Sequence, residues 1–212
     1  MKKYAMVFDA GTGAGRCNLF DMSGRLVSYA YREWEYLKDL SSSNKEAMLF
    51  DAEQFKKILF SLCRKVITQA GISADEIVAV SATSQREGMV WLDRFGKEIY
   101  AAPSVDLRGE EATDILSGKE PFIKEITGLP VSGMFGLARL LWYKKFNEAV
   151  YDRIDTVMMI SDWICYLLCG SKVSEPSVAS SSQLFDIKNG KWSSELLKSV
   201  GLRTDMFPEI SD

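Results

Sequence analysis

The stretch Tyr4-Ala-Met-Val-Phe-Asp-Ala-Gly-Thr-Gly-Ala-Gly-Arg16 decides how this chain folds. Tyr4–Phe8 is an apolar run of strand length and predicts a central, buried β-strand. Asp9 stands at its end, and Gly11, Thr12, Gly13 and Gly15 follow at once, before Arg16 and a second apolar run. A strand end with a carboxylate, a hydroxyl and a glycine-rich backbone suits Mg²⁺ and phosphate, because turn N–H groups can face an anion. A glycine-rich hairpin turn is the plainer alternative. A P-loop is excluded because no Gly-Lys-Ser/Thr follows. A dinucleotide fingerprint is excluded because the turn leads into a strand, not a helix.

Working outward, Arg16–Phe20 predicts an antiparallel partner, and Asp21-Met-Ser-Gly24 a turn into a third strand near Leu26–Arg32. Leu37–Leu49, with its serines, predicts a surface loop. Asp51 and Gln54 form a variant of the capping box, and Phe55, Ile58, Leu59, Leu62, Val66 and Ile67 share one face of a helix that stops at Gly71. Ile77–Ala82 then predicts a strand, and Met89–Leu92 with Ile99–Ala101 a hairpin turning at Asp93–Gly96. Further on, helices are predicted at Gly109–Leu116, at Leu137–Phe146 as an amphipathic element, and at Asp162–Leu168 with Ser161 as its cap. Lys172–Ser182 predicts an extended or looping segment, and Trp192–Val200 a last short helix stopped by Gly201. The end at Pro208–Asp212 shows no closing element. Three antiparallel strands, a helix and another strand predict an α/β domain with a mixed sheet flanked by helices.

Composition narrows the function. The chain has 212 residues, 47% apolar and 26% charged, with a net charge of −3. It is long enough for a substantial core, and no basic stripe favours nucleic acid. Histidine is absent, so imidazole catalysis and His-ligated metal are excluded, leaving a hard cation on oxygen ligands. Cys17, Cys63, Cys165 and Cys169 have neither zinc-ribbon nor disulfide-scaffold spacing; Cys165 and Cys169 are expected as buried thiols on one helix face. Thr156–Gly170 is apolar but short and carries Asp162, which predicts a buried helix and no membrane span. No signal peptide is visible near Met1, which leaves a reducing cytoplasm as the expected compartment.

Three further clusters carry chemistry. Gln85-Arg86-Glu87 follows a strand and precedes Gly88; its adjacent opposite charges can offer a donor fork and an acceptor to a polyol or sugar, or can be plain surface charge. Asp106 and Arg108 repeat the arrangement. Asp162 precedes Trp163 at the start of an apolar helix, where a carboxylate also suits the first turn.

Asp9–Arg16, Gln85-Arg86-Glu87, Val105-Asp-Leu-Arg108, Ile160-Ser-Asp-Trp163, and Val178–Ile187 ahead of Trp192 resemble, in order and spacing, motifs of the FGGY carbohydrate kinases. The resemblance covers essentially the whole chain. Within the family, Ser84-Gln-Arg-Glu-Gly88 with Val105–Arg108 and Met159–Trp163 looks most like the autoinducer-2 kinase branch. It departs from xylulokinases, which typically carry a histidine after the second strand motif.

The resemblance implies a ribonuclease-H-like domain of the actin, Hsp70 and sugar kinase superfamily, spanning 1–212, with an ATP-binding C-terminal domain outside this chain. It implies ATP and Mg²⁺ as cofactors, with Asp9, Gly11, Thr12, Gly13 and Arg16 around phosphate and Asp9 toward the metal. Gln85, Arg86 and Glu87, with Asp106 and Asp162, are implied to bind a small sugar or polyol. The catalytic base is implied to lie beyond Asp212, so the isolated chain is expected to be inactive. Glycerol or a pentulose are alternative acceptors, and a regulatory homologue that binds sugar or nucleotide is the non-enzymatic alternative. No nucleic-acid or membrane partner is expected, and a homodimer is left open. The family usually has serine where Ala14 stands, so a phosphate hydrogen bond of roughly 1.5–3 kcal/mol is expected to be absent there.

Overall fold

A computed structural model describes residues 3–40 and 42–211. In chain order it holds β1 (Tyr4–Ala10), β2 (Ala14–Asp21), β3 (Leu26–Glu33), β4 (Leu37–Lys38), β5 (Met48–Leu49), α1 (Ala52–Ala70), β6 (Ile77–Ser84), β7 (Met89–Leu92) and β8 (Glu98–Ala102). Then come α2 (Glu120–Thr127), α3 (Gly136–Phe146), α4 (Glu148–Tyr151), β9 (Thr156–Met159), α5 (Ile160–Cys169), β10 (Val173–Ser174), α6 (Pro176–Ser180), β11 (Phe185–Asp186), β12 (Lys191–Trp192), α7 (Ser194–Ser199) and β13 (Glu209–Ile210).

The main sheet has the order β3-β2-β1-β6. β1 pairs antiparallel with β2 and parallel with β6, so the sheet is mixed, as the opening stretch predicts. Period-two alternation decides which side of β1 is covered: Tyr4, Met6, Phe8 and Ala10 are buried, while Asp9 falls on the opposite face. On the covered side lies α1, whose buried face is Phe55, Ile58, Leu59, Leu62, Cys63 and Val66. The Asp51 carboxylate accepts from the Gln54 N–H at 3.0 Å, and Gly71 closes the helix at φ 64°, in the left-handed region that glycine enters without a Cβ clash.

A second sheet, β8-β7-β9, lies between two apolar clusters. All four β7 residues are buried: Val90 and Leu92 join the cluster under the main sheet, whereas Met89 and Trp91 join a second cluster with Leu137, Leu140 and Leu141 of α3. A strand covered on both faces reads as a continuous apolar run, which is how Met89–Leu92 appears in the sequence.

Several expectations are corrected. The Leu37–Leu49 loop contains the β4–β5 ladder, and Ala47 within it is buried. Arg108–Leu116 is 3-10 turns instead of an α-helix, and α2 had no clear sequence signal. α3 is buried all round from Gly136 to Tyr143, so it is not amphipathic. Thr156–Met159 is a strand paired with β7, not part of a helix, and Ser161 lies inside α5, whose N-cap is Met159. Lys172–Ser182 holds β10 and the helix α6, capped by the Glu175 carboxylate. The last helix begins at Ser194 with Ser193 as its cap, and Glu209–Ile210 pairs in parallel with Val173–Ser174. Cys165 is half-buried and Cys169 exposed, so the expected buried thiol pair is absent there; the buried neighbours are Cys17 and Cys63, with sulfurs 3.9 Å apart. Among the described residues no helix is long and apolar enough to cross a membrane.

Candidate active site

Two parallel strands, β1 and β6, bring the first two motifs together. Their register places Asp9 opposite Thr83 and Ala10 opposite Ser84, so the Asp9 turn and the Gln85–Gly88 loop leave the sheet side by side. The Gln85 N–H donates to the Ala10 carbonyl at 2.8 Å, continuing the ladder past the end of β6. Carboxyl ends of neighbouring parallel strands are where open α/β sheets carry ligand sites.

The turn after β1 is tight. The Gly11 N–H donates to the Ala14 carbonyl at 2.9 Å, the Trp34 N–H to the Gly13 carbonyl at 3.1 Å, and the indole N–H of Trp34 to the Thr12 carbonyl at 3.2 Å. These bonds leave the N–H groups of Thr12 and Gly13 and the Thr12 hydroxyl without partners among the described residues. A Cβ on Gly13 would meet nothing within 4 Å, so open space lies in front of this backbone. Gly15 serves a different purpose from the added flexibility its position suggests. A Cβ there would stand 2.5 Å from Trp34, so its hydrogen makes room for the indole that braces the turn.

Asp9 is partly exposed, with Arg16 Nη1 3.4 Å from its Oδ2. Among the described residues no cluster of three or more acidic, cysteine or histidine side chains could cage a metal. A single exposed carboxylate beside free amides does suit Mg²⁺, which keeps several waters and takes further ligands from substrate phosphates.

Gln85 joins these loops. Its Nε2 donates to the Tyr36 hydroxyl at 2.7 Å and to the Gly11 carbonyl at 3.4 Å; its Oε1 accepts from the Ser104 N–H and hydroxyl, both at 2.9 Å. Its amide is therefore engaged on both ends by protein. Arg86 projects outward with its side chain 80% exposed, while the Glu87 side chain is 13% exposed, and the two charges lie 4.0 Å apart. Burial pushes the Glu87 carboxyl up from the ordinary range, against the pull of Arg86 and Arg139.

The other two implied residues lie elsewhere. Asp106 is fully buried: its carboxylate accepts from the Tyr100 hydroxyl at 2.5 Å, Arg108 Nε at 2.8 Å and the Met48 N–H at 3.0 Å. Arg108 in turn reaches Asp39 at 2.9 Å and the Tyr143 hydroxyl at 2.8 Å. Asp162 accepts from the Ser174 hydroxyl and from the Glu175 N–H at 3.3 Å, tying α5 to β10, and burial raises its pKa to about 6. Arg139 was not singled out from sequence, yet it is wholly buried and donates to the carbonyls of Glu87 and Ser104 at 2.8 and 3.1 Å. A cationic residue at position 139 within an apolar helix was the available signal.

Residues 4–212 match the family described as the N-terminal domain of the FGGY family of carbohydrate kinases. An autoinducer-2 kinase of Salmonella paratyphi B is 33% identical over 215 residues, covering 99% of this chain and 40% of the relative. One from Escherichia coli is 33% identical over 220 residues, covering 100% and 40%. The chain thus spans about two fifths of the length of the curated relatives it matches. Among solved structures, a xyloylose kinase from Brucella ovis superposes with a TM-score of 0.87 at 21% identity, covering 98% of this chain and 42% of that one. A Plasmodium falciparum glycerol kinase with ADP superposes at 0.84 and 22% identity, covering 99% and 43%. The α/β fold with a mixed sheet that the strand pattern predicts, and that the family resemblance implies to be ribonuclease-H-like, is the fold these kinases share.

Proposed function

This chain belongs to the FGGY family of carbohydrate kinases, and from that premise we propose that it supplies the acceptor-binding half of an ATP-dependent kinase for a small hydroxylated carbonyl compound. The observation that carries the reading is the pairing of Asp9 with Thr83 across β1 and β6, which sets the Asp9–Arg16 turn beside Arg86 and Glu87. A phosphate-binding turn and a hydroxyl-binding charge pair must be neighbours for direct transfer between them.

In this reading the Asp9 carboxylate would hold Mg²⁺. The metal, when bound, supplies positive charge to the phosphoryl oxygens. The free N–H groups of Thr12 and Gly13 and the Thr12 hydroxyl donate to the same oxygens, and Gly11 shapes the turn that aims them. Arg16, with Nη1 3.4 Å from Oδ2, orients the Asp9 carboxylate. Arg86 donates to acceptor hydroxyls and Glu87 accepts from them, so both the donor and the acceptor side of a polyol are read. Gln85 fixes the spacing between turn and loop, and its amide is engaged by Tyr36, Gly11 and Ser104. In this reading Asp106 and Asp162 are buried framework carboxylates, each engaged by protein donors.

The base that takes the acceptor proton, and most of the adenosine site, are proposed to lie on a C-terminal domain of the full-length polypeptide. The four free thiols favour work in a reducing cytoplasm. The 33% identity to autoinducer-2 kinases favours the autoinducer-2 precursor as acceptor over glycerol or a pentulose. The test is ADP release by the full-length polypeptide against that precursor, glycerol and xylulose. Preference for the precursor supports the reading; preference for glycerol or xylulose moves the acceptor; no acceptor-dependent ADP release removes it.

A further inference from the structure

We propose that Arg139 is the positioning residue of the acceptor loop, tying the Glu87 carbonyl to the Ser104 carbonyl beyond β8 and holding Glu87 in a left-handed conformation. Its consequence for catalysis rests on the reading of Glu87 as an acceptor-binding residue; its geometry does not. Among the described residues Glu87 and Gln183 are the non-glycine residues with positive φ, and Glu87 stands at 59°. A glutamate gains nothing from that conformation locally, because its Cβ crowds its own carbonyl, so surrounding contacts must impose it.

The Glu87 N–H reaches the Ser181 hydroxyl at 3.4 Å, a long bond, and Arg139 holds the carbonyl of the same residue at 2.8 Å, the shorter and charge-assisted of the two contacts. Arg139 lies on a helix otherwise packed with Leu137, Leu140, Leu141 and Trp142, and it is fully buried. A buried guanidinium usually sits in a close carboxylate pair. Here the nearest carboxylate oxygen, Asp106 Oδ2, is 3.9 Å from Nε, and Nε has no hydrogen-bond partner among the described residues. The two terminal nitrogens instead donate to main-chain carbonyls, Nη1 to Glu87 at 2.8 Å and Nη2 to Ser104 at 3.1 Å. A planar fork spans two fixed carbonyls with both donors pre-set, whereas an ammonium on a flexible stem must converge on one point between them.

The fork closes a ring. Gln85 Oε1 accepts from Ser104, Ser104 accepts from Arg139, and Arg139 donates to Glu87, two residues from where the ring began. The next residue is anchored as well, since the Ile160 N–H donates to the Gly88 carbonyl at 3.2 Å. The carboxylate of Glu87 is thereby aimed by a residue that touches neither acceptor nor phosphate.

The test uses isotope-labelled chain 1–212. A residue at positive φ shows a short intraresidue HN–Hα contact. That signal is expected at Glu87 in the parent and lost in both Arg139→Met and Arg139→Lys, with the amides of β1, β2 and α1 unmoved. Persistence of the contact in either folded variant overturns the proposal. Should Arg139→Lys fail to fold, Glu87→Gly in the same chain is expected to restore folding, because glycine adopts positive φ unaided; continued failure also overturns it. In the full-length kinase, Arg139→Lys is expected to raise acceptor KM about tenfold with nucleotide KM unchanged. If instead Glu87→Gln leaves acceptor KM unchanged while the HN–Hα result holds, the acceptor reading fails and the positioning role stands.

Discussion

The indole of Trp34 occupies the space a Cβ of Gly15 would need, with ring carbons 2.5 and 2.9 Å from that position. Two glycines of one turn therefore have opposite tolerances. Gly15→Ala must displace the ring that donates to Thr12, and is expected to cost about 1–3 kcal/mol by overpacking. Gly13→Ala meets open space and is expected to stay within about 0.5 kcal/mol of the parent. Urea denaturation of the two variants checks the contrast, and equal losses would contradict it.

Asp162 makes stability depend on pH. Burial lifts its carboxyl to about 6, so between about pH 4 and pH 6 the native chain holds a proton that the unfolded chain has released. Its contribution therefore declines as pH rises through that window. Asp162→Asn removes the titration while keeping one acceptor oxygen, enough for one of the two donors, Ser174 and the Glu175 N–H. The variant should gain on the parent by roughly 3 kcal/mol between pH 4 and pH 7, at about 1.4 kcal/mol per pKa unit. Chemical denaturation of both proteins at the two pH values measures this directly.

Asp106 balances Arg108 in the core, where Arg108 Nη2 already lacks a hydrogen-bond partner among the described residues. Asp106→Ala strips the carboxylate from Arg108, Tyr100 and the Met48 N–H together, and is expected to cost about 3–5 kcal/mol. A thermal melt that leaves Asp106→Ala at the parent Tm would show that this network contributes little.

Local pattern made part of this molecule legible. The β1–β2–β3 meander, α1 with its Asp51 cap, and the β7–β8 hairpin all follow from spacing within a short window. The places of the Asp9 turn and of the Arg86–Glu87 loop follow from the strands that each one ends. What stayed hidden depends on partners distant in sequence. The boundary between β9 and α5 lies inside one apolar run, buried as strand and helix alike, so periodicity gives no break at Met159. Asp106 and Asp162 looked like site carboxylates because sequence does not show Tyr100 and Arg108 closing on one, or Ser174 on the other. Arg139 reads as one charge on a Leu-rich helix until the fold brings Glu87 and Ser104 to it.

Arg86 and Glu87, set beside the Asp9 turn, are proposed to hold the acceptor. Steady-state kinetics of the full-length polypeptide carrying Arg86→Ala, with acceptor and ATP varied in turn, tests this proposal. Loss of a charge-assisted contact of about 1.5–3 kcal/mol predicts a fall in acceptor kcat/KM of roughly 10- to 100-fold, with the KM for ATP little changed. An Arg86→Ala enzyme with the parent's acceptor KM and kcat/KM would contradict it.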